Sequence, residues 1–200
     1  MSKFLIGYVK AIDSITEFMG ALSMHLVWIT VAIGFYNVVV RYLGRFVGLQ
    51  MSSNIFIETQ WYLYSLVFLF GFSYILKNGI NVRVDFFYAN FTKKRRALID
   101  FIGHLLFLIP FSLMGIWVTI NPVLQSWGRS PNGTWGTWEQ SPDPNGLPRA
   151  PIKTMIIVAF VMLFLQTVAE LIKLYGTLSE KQEFIILATD TEPTAPLRLE

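Results

Sequence analysis

The stretch IKTMIIVAFVMLFLQTVAELIKL, residues 152–174, decides the fold class of this chain. It is a nearly continuous apolar run, and roughly 20 such residues in helical form cross the hydrocarbon layer of a membrane. Residues 18–40, 57–76 and 97–118 form three further runs of the same kind. The whole chain is 54% hydrophobic and only 14% charged, which is more apolar than a soluble domain of 200 residues can bury. The sequence therefore predicts an all-α membrane protein with four transmembrane helices.

The segment before the first span has a different pattern. Within residues 1–17, apolar residues recur at helical spacing with Lys, Asp and Ser between them. This pattern predicts an amphipathic helix that lies in the membrane interface on the cytoplasmic side. An N-terminal extension of the first spanning helix is the alternative. Asp13 and Glu17, and the lack of a small-residue cleavage site, argue against a cleaved signal peptide.

The predicted organisation has three parts. The amphipathic helix is followed by a four-helix transmembrane domain, residues 18–175. Residues 176–200 carry several acidic residues and two prolines, a composition typical of a cytoplasmic tail without its own core.

Basic residues predict the orientation of the spans. The loop between spans two and three holds six of the sixteen Lys and Arg residues, and short basic loops remain in the cytoplasm. Because four spans return the chain to the side on which it started, both termini are predicted to be cytoplasmic. The six residues are Lys77, Arg83, Lys93, Lys94, Arg95 and Arg96.

Composition also excludes several classes of function. The chain has no cysteine, which rules out disulfides, thiolate metal sites and a cysteine nucleophile. No basic stripe with stacking aromatic residues is present, so no nucleic-acid partner is expected. The sequence supplies no arrangement of nucleophile, base and oxyanion donors and no Gly-rich phosphate loop. We therefore predict neither an enzyme nor a resident cofactor.

Two histidines leave one alternative open. His25 and His104 each lie about seven residues from the cytoplasmic end of their span, or roughly 10 Å deep. Two imidazoles at matched depth are able to ligate a haem, as in the membrane anchor of a respiratory complex. The interpretation that we favour is hydrogen bonding between helices, with His104 also paired to Asp100 one turn earlier.

Other polar residues stand at the ends of the spans. Glu58 opens span two, where a carboxylate meets the positive end of the helix dipole or contacts Arg41, Arg45 or a basic residue of a partner. Near the cytoplasmic end of span four, Glu170 and Lys173 lie three residues apart and are expected to pair. In the same span, Gln166 is expected to hydrogen-bond to another helix.

The outer loop between spans three and four, residues 124–150, is rich in Pro, Gly, Asn and Asp. These residues favour an ordered series of turns. Trp127, Trp135 and Trp138 suit the level of the lipid headgroups, and a docking surface for an external protein is the alternative.

Transport by this chain alone is not indicated, because paired repeats and interrupted helices are missing. A membrane subunit that supports another protein fits the pattern better. A small free-standing channel is a third interpretation, and it predicts ion flux from the isolated chain.

Two segments resemble a known family. The segment ETQWYLYSLVFLFGFSYILKNGINVRVDFFYANFTKKRRALIDF, residues 58–101, has Glu58 at a helix start and a basic loop around VRVD. It resembles the small membrane subunit, the DctQ-like component, of tripartite ATP-independent periplasmic (TRAP) transporters. The segment EQSPDPNGLPRAPIK, residues 139–153, is similar to the outer loop of the branch with a long third loop. The resemblance covers about residues 18–175, although many relatives have His in place of Asn81.

The resemblance implies a scaffold without a transport site of its own. In such systems a periplasmic binding protein captures an organic acid, and a large DctM-like subunit of the bacterial inner membrane moves it inward, coupled to sodium. The small subunit braces the large one. Lys93, Lys94, Arg95 and Arg96 would then hold their loop at anionic lipid headgroups.

The resemblance also assigns candidate contact residues. Arg83 and Asp85 are expected to shape the basic loop, and they share a face if VRVD is extended. A docked binding protein is expected to lie near four residues of the outer loop, which are Trp135, Trp138, Glu139 and Arg149.

Overall fold

The structure is a computed structural model, and it describes residues 2–48, 53–80 and 91–179. Its helices are α1 (Ser2–Val47), α2 (Asn54–Lys77), α3 (Lys93–Gly103), α4 (Ile109–Ser126) and α5 (Ala150–Leu178). Residues 104–108 form a π-helical turn that joins α3 to α4. The described residues thus contain four helical segments long and apolar enough to cross a membrane, since α3 and α4 form one of them. The predicted fold class is confirmed.

The first spanning helix is longer than the sequence pattern indicated. α1 runs without a break from Ser2 to Val47, so its N-terminal part continues the first span as the alternative had it. The placement of residues 1–17 at a membrane interface stays a prediction, as do the domain boundaries.

The π-helical turn between α3 and α4 has a local cause. Pro110 lacks a backbone N–H and its ring collides with the carbonyl four residues earlier in a regular α-helix. A π-turn widens the helix just before the proline, and its closing bond runs from the Ile109 N–H to the His104 carbonyl. The helix therefore continues past Pro110.

The chain divides into two compact units, which we describe separately. The first unit comprises Met1–Phe18, Phe72–Met114 and Phe160–Glu200. Its buried core is formed where α1 meets α5, by Val9, Ile12 and Ala169. The Tyr8 hydroxyl donates to the Leu165 carbonyl at 3.0 Å beside this core.

The second unit comprises Met19–Gly71 and Gly115–Ala159. Here α1 packs against α2: the Ser23 hydroxyl donates to the Val67 carbonyl at 3.0 Å, and the rings of Tyr36 and Phe56 meet edge to face at 5.3 Å. Gly34 lies directly against the side-chain amide of Gln60, so a larger residue there would require the flexible Gln60 side chain to move. A small residue at this position lets the two helices approach closely.

Candidate functional site: the anchored loop and the buried polar clusters

Glu58 lies in the second unit, in the second turn of α2, and is only 2% exposed. Its carboxylate accepts hydrogen bonds from the Ser141 hydroxyl and from the backbone N–H of Leu147. The sequence pattern predicted that this carboxylate meets the positive end of the helix dipole or contacts Arg41, Arg45 or a basic residue of a partner. In the structure its hydrogen bonds go to the α4–α5 loop, residues 127–149, rather than to Arg41 or Arg45, and they hold that loop against α2. A contact with a partner's basic residue stays a prediction.

Two more side chains of α2 hold the same loop. The Tyr62 hydroxyl donates to the carbonyl of Pro148. One turn before Glu58, the Asn54 amide donates to the carbonyl of Pro144 at 3.2 Å. A proline has no backbone N–H, so Pro144 and Pro148 each offer a side chain only their carbonyl. The loop is thus attached to α2 along its second half.

A tight turn brings the loop backbone up to the carboxylate. The Gly146 N–H donates to the Asp143 carbonyl at 3.0 Å, and Asn145 adopts a positive φ of 59°. A Cβ atom at Gly146 would collide with the Cβ atom of Ser141 and would lie 2.8 Å from a carboxylate oxygen of Glu58. Glycine is therefore required where the turn meets the carboxylate, and Asn is one of the few other residues that tolerates the left-handed region.

Glu139 anchors the middle of the loop to the ends of two helices. Its carboxylate accepts a hydrogen bond from the Ser126 hydroxyl at 2.5 Å, and it forms an ion pair with Lys153. Its backbone N–H donates to the Ser126 carbonyl at 2.7 Å, and its carbonyl accepts from the Arg149 N–H at 2.9 Å. The hydrogen bonds from Lys153 and then from Ser126 lower the pKa of Glu139.

The first part of the loop folds back on itself. Residues 129 and 135 form an isolated antiparallel bridge, and the Gly136 N–H donates to the Gly128 carbonyl at 2.8 Å. Gly128 has a φ of 95°, and a Cβ atom there would meet the backbone carbonyl of Gly136. The ordered turns predicted from the composition are present.

The loop's tryptophans occupy different environments. Trp127 and Trp138 pack together with ring centroids 5.5 Å apart, and the Trp127 indole donates to the Thr154 hydroxyl at 2.8 Å. Trp135 stays 65% exposed at the fold-back. Of the four residues expected near a docked protein, Trp135 is the one that projects most freely.

Arg149 ends the loop immediately before α5. Its guanidinium lies over the Trp61 ring, 5.6 Å from the centroid, within the range of a cation–π contact. Its Nε atom is buried and has no hydrogen-bond partner in the described part of the chain.

A buried polar cluster lies in the first unit, where α1 meets α5. Lys173 is 2% exposed and pairs with Asp13 at 2.9 Å and with Glu170 at 2.8 Å. The Gln166 amide donates to both carboxylates at 2.9 Å and its oxygen accepts from the Thr16 hydroxyl at 2.7 Å. The predicted Glu170–Lys173 pair and the interhelical role of Gln166 are confirmed. The sequence pattern does not indicate Asp13 and Thr16 as their partners.

The four basic residues of the predicted headgroup site begin α3. Thr92 caps the helix by accepting from the Arg95 N–H at 3.4 Å, and the Arg96 side chain donates to the Phe91 carbonyl at 3.0 Å. Cations in the first turn oppose the helix dipole, so they weaken the helix rather than stabilise it. Lys93, Lys94 and Arg95 are exposed and Arg96 is half-buried, and the contact of these residues with lipid headgroups stays a prediction.

The two histidines belong to different units. His25 is exposed, and its Nδ1 atom lies 2.7 Å from the Ala21 carbonyl of its own helix, so the expected bond between helices is wrong for this residue. His104 lies in the π-helical turn, and its pairing with Asp100 stays a prediction. No group of three or more His, Asp or Glu side chains is placed to hold a metal in residues 2–48, 53–80 and 91–179.

Three candidate residues lie outside the described residues: Asn81, Arg83 and Asp85. Most of the predicted tail, from residue 180 onward, does so as well. The shaping of the basic loop by Arg83 and Asp85 therefore stays a prediction.

The structure thus brings together Glu58, Trp138, Glu139 and Arg149 around one loop. The sequence pattern does not indicate Ser141 and Leu147, the residues that bind Glu58. They lie 83 and 89 residues away along the chain, so no local spacing pattern signals the contact. The turn-forming residues of the loop were the available signal that its backbone is ordered.

In a comparison with protein-family models, residues 30–177 match the family described as "Tripartite ATP-independent periplasmic transporters, DctQ component". The match covers well over half of the chain. No curated protein and no solved structure matches the chain significantly.

Proposed function

Because the chain belongs to the DctQ family of TRAP transporter components, we propose that it is the scaffold subunit that braces a large DctM-like subunit. Membership makes it a multi-pass membrane component of a transporter rather than an enzyme. The proposed complex takes up an organic acid with sodium, after a periplasmic binding protein has delivered the acid. In this proposal the chain lies in the bacterial inner membrane with both termini in the cytoplasm.

The observation that supports the scaffold role is that the buried polar side chains bind other parts of the same chain. In the first unit, Lys173 and Gln166 bind groups of α1 and α5. In the second unit, Glu58 and Glu139 bind the α4–α5 loop. Polar groups in a membrane protein commonly mark an ion or substrate path, but these are engaged in contacts that hold the chain's own helices and loop. Such an arrangement suits a rigid support.

Exposed apolar side chains supply surface for the large subunit. Along α1, Trp28 and Phe35 are both 72% exposed and lie seven residues apart, on one side of the helix. Such surface can be covered equally well by lipid or by a helix of another membrane protein, so it is available for packing against the large subunit.

The α4–α5 loop is the surface that we propose for the binding protein. Its second half is held rigidly by Glu58, and Trp135 projects from its first half. Exposed tryptophans are frequent anchors of protein interfaces because they bury a large area with little loss of conformational freedom.

The proposal is tested by co-expression with the DctM-like subunit from the same source. A tag on the present chain should recover the large subunit in stoichiometric amounts. Cross-linkers at Trp135 should capture the binding protein, and matched cross-linkers at Lys94, on α3, should not. Failure to recover a large membrane subunit would remove the scaffold role, whereas failure of the Trp135 cross-link alone would remove only the docking surface.

A further inference from the structure

The second unit contains an apolar groove that the proposed function does not use. It has a volume of about 510 Å³, within the range of small-molecule sites. From α2 it is lined by Trp61, Tyr64, Ser65 and Phe68, and from α5 by Ile152 and Ile156. These residues recur three or four apart on each helix, so each helix contributes one face.

The groove is polar at one end. Arg149 and Lys153 line it next to the α4–α5 loop, where Arg149 lies over the Trp61 ring. From Trp61 to Leu69, the last lining residue of α2, the groove extends about 12 Å along the helix away from the loop. It therefore combines a cationic end with an apolar length.

The two cations differ in what already binds them. Lys153 is paired with Glu139. The positive charge of Arg149 is close enough to interact with the carboxylates of Glu58 and Glu139, and it helps to lower the pKa of Glu139. Neither forms an ion pair with Arg149, and within the described residues the guanidinium donates no hydrogen bond. The donors of Arg149 are thus open to an additional acceptor.

We propose that this groove binds an anionic phospholipid, with the phosphate on Arg149 and an acyl chain along α2 and α5. A guanidinium presents its donors in a fork that matches two phosphate oxygens, and it does so while stacked on an aromatic ring. The N-terminus of α5, at Ala150, adds the positive end of a helix dipole at the same level. Trp61 and Tyr64 are the residue types that prefer the headgroup region.

The groove has one cationic end and a long apolar part, and a phospholipid has the same arrangement of an anionic headgroup and an apolar chain. A free anion would leave the apolar faces of Phe68 and Ile156 uncovered. A purely apolar helix from another subunit would cover those faces but leave the guanidinium without an acceptor, which is costly away from water. A phospholipid satisfies both ends. The inference requires only that the chain is inserted in a membrane and does not rest on the transporter partners.

Native mass spectrometry of the full chain in mild detergent provides the first test. Phosphatidylglycerol is titrated in one series, and a diacylglycerol with the same acyl chains in another. We expect phosphatidylglycerol to bind at least tenfold more tightly, because only it carries the phosphate. Arg149→Gln should weaken phosphatidylglycerol binding by about tenfold, whereas Arg129→Gln, which removes the same charge from an exposed position of the same loop, should not.

A second variant separates binding from folding. Ser65→Phe fills the groove without changing a charge, and Ser65 bonds only to its own helix, at the Trp61 carbonyl. It should reduce lipid binding while the unfolding temperature stays at the wild-type value. Equal binding of the two lipids, or unchanged binding in both Arg149→Gln and Ser65→Phe, would overturn the proposal.

A cross-linking experiment in cell membranes identifies the occupant directly. Tyr64 lines the groove and is 67% exposed, so a photoreactive residue there reaches whatever fills it. A phospholipid adduct on the purified chain supports the proposal. A cross-link to another protein, or the absence of a lipid adduct, contradicts it.

Discussion

Removing the Glu58 carboxylate tests whether the α4–α5 loop is anchored as the structure has it. In Glu58→Ala, the Leu147 N–H and the Ser141 hydroxyl lose their shared acceptor. In Glu58→Gln, the amide oxygen still accepts from the Leu147 N–H, and the amide nitrogen donates to the Ser141 oxygen. The two variants therefore separate the loss of the contact from the loss of the charge.

The expected magnitudes follow from the number and kind of hydrogen bonds. Loss of two hydrogen bonds to a buried carboxylate should lower the free energy of releasing the loop by about 3 kcal/mol. The ratio of released to attached loop should therefore rise about 100-fold. Replacing two charge-assisted bonds by two neutral ones should cost about 1 kcal/mol, or about fivefold. Glu58→Ala should thus be clearly the more severe change.

Limited proteolysis by trypsin after Arg149 measures the release of the loop. The chain is reconstituted in lipid nanodiscs, and the protease concentration is kept low enough that loop opening and closing is faster than cleavage. Under that condition the rate follows the population of the released loop. Asp143→Ala is the matched control, because it removes an exposed carboxylate from the same loop.

Cleavage rates should increase in the order wild type, Glu58→Gln, Glu58→Ala, with the control close to wild type. If Glu58→Ala were cleaved at the wild-type rate, the carboxylate would not hold the loop, and the description of the site would be wrong.

Three further predictions concern other contacts. Lys173→Met leaves two carboxylates in the first unit without their cation, so it should destabilise the chain by about 3–5 kcal/mol in chemical unfolding, whereas Lys10→Met, at an exposed position, should have little effect. Because its contacts hold the pKa of Glu139 below the ordinary 4.5, this residue stabilises the folded loop at neutral pH, and the contribution should be lost as the pH falls from about 4.5 through the lowered value. Loop proteolysis between pH 6 and pH 3 with an acid-stable protease should therefore rise more steeply in wild type than in Glu139→Gln, and equal slopes would contradict the assignment. Gly128→Ala forces a side chain into a positive φ and against a backbone carbonyl, so it should speed cleavage at the start of the loop, and an unchanged rate would argue against the fold-back.

Much of the fold could be predicted because its signal is local. A run such as residues 152–174 is long and apolar enough to identify a membrane span by itself. The Glu170–Lys173 pair is local too, since helical geometry brings residues three apart together. The turns of the α4–α5 loop follow from the backbone preferences of Gly, Asn and Pro.

The contacts that define the site could not be predicted in the same way. Lys173 also binds Asp13, 160 residues away, and only the packing of α1 on α5 reveals it. The sequence places Glu58 at a helix start, but its position in α2 does not indicate which loop its carboxylate binds. The length of α1 was underestimated because amphipathic spacing at residues 1–17 does not show where one helix ends and another begins.

Reconstitution in lipid vesicles tests the central proposal that this chain supports a transporter without carrying cargo. Vesicles with a sodium gradient contain the present chain, its DctM-like partner or both, and the binding protein loaded with radiolabelled organic acid is added outside. We expect uptake only when both membrane subunits are present. Uptake by the present chain alone, or equal uptake by its partner without it, would contradict the proposal.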